Sequence, residues 1–159
     1  MAKWHKVRPL VAAMVCGAGL MGALSAHAMT NPPIRVTHGV EYMSGGVGSE
    51  EAQFMETVSP RWPATLEFAV QDRKSADFAA GVRVTVCDAN GQAVLDRVVS
   101  DGPFLVARLE PGSYEVQAEL GGQTLKQALT VRAGTGTRSV FMWPASTDMA
   151  TSTARAPSQ

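Results

Sequence analysis

Cysteine and histidine are scarce in this chain of 159 residues, which holds two cysteines and three histidines. Cys16 and two of the histidines lie within the first 28 residues, so the remainder carries only His38 and Cys87. A zinc site needs several His, Cys or carboxylate ligands, and a nucleophilic Ser or Cys needs a base beside it. The chain is therefore predicted not to be an enzyme: we expect no catalytic residue, no metal site, no cofactor and no internal disulfide.

An excess of positive charge is also lacking, because 14 basic residues balance 14 acidic ones. The first 28 residues contain Lys3, Lys6 and Arg8 and no acid, which leaves 11 basic against 14 acidic residues in the rest. Proteins that bind nucleic acid by releasing its counterions carry a basic stripe or patch. This mildly acidic balance argues against a nucleic-acid partner.

The longest apolar run covers residues 10–24, which is shorter than the roughly 20 residues needed to span a bilayer. It follows a basic start and ends in Ala26-His27-Ala28, the small-x-small pattern of a signal-peptidase site. We predict that residues 1–28 are a signal peptide that is cleaved between Ala28 and Met29. The mature protein is then expected in the periplasm or outside the cell, without stable membrane insertion.

Residues 29–63 are divided by prolines and glycines and are predicted to form an N-terminal arm. Within it, residues 49–56 are typical of a short helix that has Ser49 as its N-cap and acidic residues in its first turn. The glycine-rich residues 45–48 precede this helix, as in loops that bind anions with backbone N–H groups. The acidic first turn favours a different role, a turn that seats the arm on the following domain.

From residue 64 onward, apolar and polar residues alternate with the period of two that is typical of half-buried strands. Turn residues separate the strands at roughly 8–12-residue spacing, as expected for a β-sandwich. Gln127 interrupts one apolar face and is expected near a sheet edge, and residues 144–159 form a tail predicted to be disordered. The seven predicted strands cover residues 66–71, 82–87, 93–99, 104–109, 114–120, 123–132 and 138–143.

Two motifs within these strands resemble a known family. They are Gly81-Val82-x-Val84-x-Val86-x-Asp88-x-x-Gly91 and Leu109-x-Pro111-Gly112-x-Tyr114-x-Val116. Over residues 64–143 the chain resembles the carboxypeptidase regulatory-like domain, which is an accessory module and not the peptidase. The resemblance implies an all-β fold, a seven-stranded prealbumin-like (transthyretin-like, Ig-like) β-sandwich that here follows a short helical arm. Residues 42–51 also resemble small exported proteobacterial proteins of unassigned function.

Aromatic residues are the remaining candidates for a contact surface, because many sandwich modules hold sugars or peptides on stacked rings. The candidates are Tyr42, Trp62, Phe141 and Trp143. Packing in the core or along a sheet edge is the role that the pattern favours for all four, and the contact surface is the alternative.

The sequence is best interpreted as an exported, non-catalytic binding or interaction module, in which loops or an exposed edge strand make the contact. Its partner would be an unknown protein, peptide or glycan of the cell envelope. A carbohydrate-binding module that uses surface aromatics is one alternative. A small hydrolase, for which His38 is the one available histidine beside Cys87 or a serine, is a second and weaker alternative.

Overall fold

The computed structural model describes residues 31–72 and 76–147. The predicted signal peptide with Ala26, Ala28 and Met29, and residues 148–159 of the predicted tail, lie outside the described residues. The described chain is mostly β and forms two sheets that enclose one core, with one α-helix packed outside. This confirms the predicted all-β, sandwich-like character.

Ten strands, one α-helix and one short 3-10 turn make up the described elements. In chain order they are β1 (Arg35–Thr37), β2 (Val40–Gly45), α1 (Ser49–Val58), the 3-10 turn (Ser59–Arg61), β3 (Ala64–Gln71), β4 (Ala76–Phe78), β5 (Arg83–Asp88), β6 (Ala93–Val99), β7 (Phe104–Ala107), β8 (Gly112–Leu120), β9 (Gln123–Val131) and β10 (Thr137–Trp143).

The first sheet has the strand order β1-β2-β7-β3-β10, and β4 pairs with the second half of β3. Most neighbours are antiparallel, but β10 runs parallel to β3, with Phe141 opposite Phe68. The second sheet is antiparallel throughout and has the order β6-β5-β8-β9. The chain therefore crosses between the sheets several times, and each sheet mixes early and late strands.

The core lies between the two sheets, where alternate residues of each strand point inward. Phe68, Phe141 and Trp143 form its aromatic centre, with ring centroids 6.0 to 6.4 Å apart. Tyr42 is also buried against this cluster. Inward-facing strand positions bury Tyr42, Phe141 and Trp143, so these three residues pack in the core and do not present their rings as a contact surface.

All seven predicted strands are present, but the described residues contain three more, β1, β2 and β4. Two of them are three residues long, which is too short to show an alternating pattern. The third, β2, ends in Ser44 and Gly45, so its sequence does not alternate between apolar and polar residues along its full length. The first sheet thus takes in two strands from the segment that was assigned to the N-terminal arm.

Helix α1 packs on the outer face of the first sheet and forms a second, smaller apolar cluster there. The buried members of this cluster are Met43, Met55, Trp62, Phe104 and Val106. The helix matches the predicted residues 49–56, although its N-cap is Gly48 and not Ser49, with no side-chain hydrogen bond at that position. No helix among the described residues is both long and apolar enough to cross a membrane.

Candidate binding cleft

A cleft of about 530 Å³ lies at one end of the sandwich. Three chain segments line it: residues 60–63 before β3, residues 108–111 between β7 and β8, and residues 131–136 between β9 and β10. These segments come together because β3 begins, and β7 and β9 end, at the same end of the fold. Its volume lies within the range of small-molecule sites, roughly 300–1,000 Å³.

The first and third segments are held in close contact. The backbone N–H of Thr137 donates a hydrogen bond of 2.9 Å to the carbonyl of Pro63. A Cβ added at Gly136 would lie 3.1 Å from the carbonyl oxygen of Trp62 and 3.2 Å from that of Pro60. A side chain at position 136 would therefore press on these two carbonyl groups, so the two segments are closely packed at this wall of the cleft.

The second segment, the turn between β7 and β8, is fixed by one buried side chain and one side-chain hydrogen bond. Leu109 is buried in the core, and the phenol of Tyr114 donates a hydrogen bond of 2.7 Å to the carbonyl of Glu110. Burial raises the pKa of Tyr114 above its ordinary value of 10.0, and the negative charges of Glu110 and Asp88 raise it further. The motif 109–116 thus provides a fixed turn at the cleft.

Trp62 and Arg108 both line the cleft and contact each other. The guanidinium of Arg108 lies 4.5 Å from the centroid of the Trp62 ring, a cation–π geometry. The Nε atom of Arg108 lies 2.7 Å from a carboxylate oxygen of Glu41 on β2. Trp62 is buried, at only 5% exposed, and its ring is covered by an arginine, so it is not an open stacking platform.

Three arginines line the cleft, one from each segment: Arg61, Arg108 and Arg132. Glu110 is the acidic residue among the described lining residues. Arg61 and Arg132 form no ion pair with any described residue, whereas Arg108 is paired with Glu41. The cleft therefore combines apolar walls with unpaired positive charge.

Sequence reasoning missed all three arginines because each lies beside a turn, separated in sequence from the others. A usable signal was present nonetheless. Arg108 and Arg132 lie at the ends of two predicted strands, 104–109 and 123–132, and Arg61 comes shortly before the first predicted strand. The start of one strand and the ends of two others can share one end of a sandwich, but only the strand order establishes which of them do.

His38 and Cys87, the residues of the hydrolase alternative, lie in different sheets, and Asp88 forms a turn. His38 has a positive φ of 48° in the turn between β1 and β2 of the first sheet, whereas Cys87 lies half-buried on β5 of the second sheet. A carboxylate oxygen of Asp88 accepts hydrogen bonds of 2.9 Å from the backbone N–H groups of Asn90 and Gln92, which forms a turn. No group of three His, Cys, Asp or Glu residues able to hold a metal occurs in residues 31–72 and 76–147.

The glycine-rich loop before α1 is occupied by a carboxylate of the chain itself. An oxygen of Glu51 accepts hydrogen bonds from the backbone N–H groups of Gly46, at 2.6 Å, and Val47, at 3.3 Å. A Cβ at Gly46 would collide with the ring of Phe104, and one at Gly102 would collide with the backbone of Gly45. The glycines thus allow two backbone segments to pack together, and Glu51 fills the position that a bound anion would take.

Three of the edge strands, β6, β9 and β10, are irregular or lie against another strand, whereas β1 and β4 are edge strands of only three residues each. Edge strand β6 is irregular: its register with β5 shifts, and Arg97 has a positive φ of 47°, the signature of a β-bulge. Edge strands β9 and β10 lie side by side, and Gln127 of β9 donates a hydrogen bond of 2.9 Å to the carbonyl of Val140. The prediction that Gln127 lies near an edge is confirmed. Bulges and covered edges hinder the addition of a further strand.

We compared the chain with protein-family models, with curated proteins and with solved structures, and none of them gives a match. The resemblance to the carboxypeptidase regulatory-like domain therefore stays a prediction. What the chain does has to be argued from the geometry of the cleft.

Proposed function

We propose that this chain is an exported, non-catalytic binding module of the cell envelope, and that the cleft at the end of its sandwich is the contact surface. One observation carries the proposal: three separate segments converge on a cleft of about 530 Å³ whose walls are fixed by hydrogen bonds and close backbone packing. Binding sites are commonly built from loops that a rigid scaffold holds in place. The partner is a protein, peptide or glycan that presents a group small enough to enter.

The finer assignment of the sandwich is part of the same proposal. We infer a prealbumin-like module related to the carboxypeptidase regulatory-like domain, because the motif at residues 109–116 is its most specific feature. The burial of Leu109 and Val116 and the hydrogen bond from Tyr114 to Glu110 give support, since they provide a physical reason for this residue pattern.

Two other modes of binding have less support. Addition of a strand at β6, β9 or β10 would have to overcome the bulge in β6 or the side-chain contacts between β9 and β10, and the edge strand β1 offers only three residues. Carbohydrate binding by Tyr42, Trp62, Phe141 and Trp143 would need exposed rings, and all four residues are at most 9% exposed. Loops are therefore the better candidates for the contact.

The proposal is tested with a variant whose larger side chain fills the cleft. Ala133 lines the cleft and is exposed, so Ala133→Trp adds bulk there without changing charge. Ala80, also exposed, lies between β4 and β5 and outside the cleft lining, and Ala80→Trp is the matched control. Each variant of the full chain is tagged, expressed in the source cells and used to capture partners from the periplasmic fraction.

We expect a partner that is captured by the parent protein and by Ala80→Trp and is lost with Ala133→Trp. Capture that survives Ala133→Trp would contradict a role for the cleft. Sequencing the N-terminus of the exported protein tests the export step, and the expected first residue is Met29.

A further inference from the structure

Arg108 makes two different side-chain contacts. Its Nε lies 2.7 Å from a carboxylate oxygen of Glu41, and its guanidinium carbon lies 4.5 Å from the centroid of the Trp62 ring. These contacts leave the N–H groups of the two terminal nitrogens without a partner among the described residues. A planar guanidinium with free terminal N–H groups suits two parallel hydrogen bonds to a carboxylate or a phosphate.

Arg61 and Arg132 extend the positive charge to two further sides of the cleft. Neither forms an ion pair with a described residue, although the whole chain has as many acidic as basic residues. Glu110 lines the same cleft but forms no ion pair with any of the three arginines. Arg61 and Arg132 are therefore available to a charged ligand, whereas one side of the Arg108 guanidinium is already paired with Glu41.

The remaining walls are partly apolar, because Pro60, Pro63, Leu109 and Pro111 line the cleft between the arginines. Apolar walls with a few convergent polar groups are typical of sites that bind small organic molecules or the ends of chains. We propose that the cleft binds its ligand through an anionic group, a carboxylate or a phosphate, that is attached to a partly apolar body. This inference rests on the proposed function and adds the chemical class of the ligand.

Three simple probes distinguish the possible sources of the anion. Benzoate presents a carboxylate on an apolar ring, phenyl phosphate presents a phosphate, and benzamide is the neutral counterpart of benzoate. The probes are titrated into ¹⁵N-labelled protein that is purified from cells expressing the full chain, and amide signals are followed by NMR. We expect shifts at Gly134, Thr135 and Gly136, and at least one anion should bind roughly tenfold or more tightly than benzamide, as expected for charge-assisted hydrogen bonds.

Two variants test the arginines directly. Arg61→Gln and Arg132→Gln remove charge from exposed side chains that form no ion pair or hydrogen bond with a described residue. Each is expected to weaken binding of the preferred anion by roughly fivefold to tenfold. Arg97→Gln is the matched control, because Arg97 is an exposed arginine of β6 outside the cleft, and it should leave the affinity unchanged.

The outcomes separate this inference from the proposed function. Equal binding of benzamide and both anions, or anion binding that neither arginine variant weakens, would overturn the anionic class and leave the cleft as a binding site. If none of the probes shifts the cleft signals, the anionic class is also rejected. The proposed function is then still judged separately, by whether Ala133→Trp abolishes capture of the partner.

Discussion

The guanidinium of Arg108 lies 4.5 Å above the ring of Trp62 and covers an indole that is only 5% exposed. Because Arg108 also pairs with Glu41, this contact joins the end of β7 to β2 and to the turn before β3. The same side chain thus shields an aromatic ring from water and presents its terminal N–H groups to the cleft. A contribution to stability and the proposed contribution to binding therefore meet at this residue.

Replacing Arg108 should expose Trp62 and loosen this end of the sandwich. For Arg108→Ala we expect a loss of about 1 kcal/mol in the free energy of unfolding, from the cation–π contact and a solvent-exposed ion pair together. Acrylamide should also quench tryptophan fluorescence more strongly than in the parent protein. Chemical denaturation and quenching measure the two effects.

Arg83→Ala is the control for Arg108→Ala. Arg83 also forms an exposed ion pair, 3.4 Å from Glu119, but it is not placed over an aromatic ring. It should change stability by less than about 0.5 kcal/mol and leave quenching unchanged. Equal effects of the two variants would show that the contact with Trp62 contributes nothing.

Glu51 should stabilise the glycine-rich loop, because its carboxylate accepts the N–H groups of Gly46 and Val47. Glu51→Ala is expected to cost about 1 kcal/mol, comparable to the loss of a helix-capping side chain. Glu50→Ala removes an equal charge from the same helical turn without removing those hydrogen bonds. Thermal unfolding of both variants measures the two losses of stability. If Glu51→Ala loses no more than Glu50→Ala, the hydrogen bonds to Gly46 and Val47 add nothing to the helix-dipole effect.

The strands were the part of the fold that could be predicted, and the cleft was not. A period of two over five or more residues marks a half-buried strand in any sheet, so β3, β5 and β8 are visible in the sequence. The same pattern does not reveal strand order, and order decides which loops meet. The three arginines line the same cleft because the strand order brings their loops to one end of the sandwich.

The aromatic candidates failed for a related physical reason. Both faces of β10 carry apolar residues, so the pattern did not show whether Phe141 and Trp143 or Val140 and Met142 point inward. The structure buries the aromatic pair and leaves Val140 and Met142 about half exposed. The Leu109-x-Pro111-Gly112 turn was predicted, because turn residues act locally.

Gly102 should tolerate no side chain, because an added Cβ would collide with the carbonyl group of Gly45. Gly102→Ala is expected to destabilise the protein by about 1–3 kcal/mol through overpacking. Gly112→Ala is the control, because its Cβ would lie 3.8 Å from Tyr114, an ordinary contact. Denaturant midpoints measure the difference, and a Gly102→Ala protein as stable as Gly112→Ala would contradict the close packing of these two segments.

Tyr114 should make stability depend on pH in the alkaline range. Its pKa is raised in the folded state, chiefly by burial, so the folded protein holds the phenolic proton more tightly than the unfolded chain. This contribution is complete below the unfolded value of 10.0 and is lost as pH rises from there through the folded pKa. In Tyr114→Phe, the decline in unfolding free energy above pH 10 should be less steep than in the parent protein. Parallel curves would contradict the assignment.

The contact between the edge strands β9 and β10 should be stabilised by one pair of polar side chains, Gln127 and Ser139. The hydroxyl of Ser139 donates to the side-chain oxygen of Gln127, whose nitrogen donates to the carbonyl of Val140, so the amide of Gln127 is fixed in one orientation. Because the contacts share Gln127, the losses caused by Gln127→Ala and Ser139→Ala should not add. A double-mutant cycle measured by denaturation is expected to give a coupling energy of about 0.5–1.5 kcal/mol. Losses that simply add would mean that water replaces the pair at no cost, and that backbone packing alone keeps these edges together.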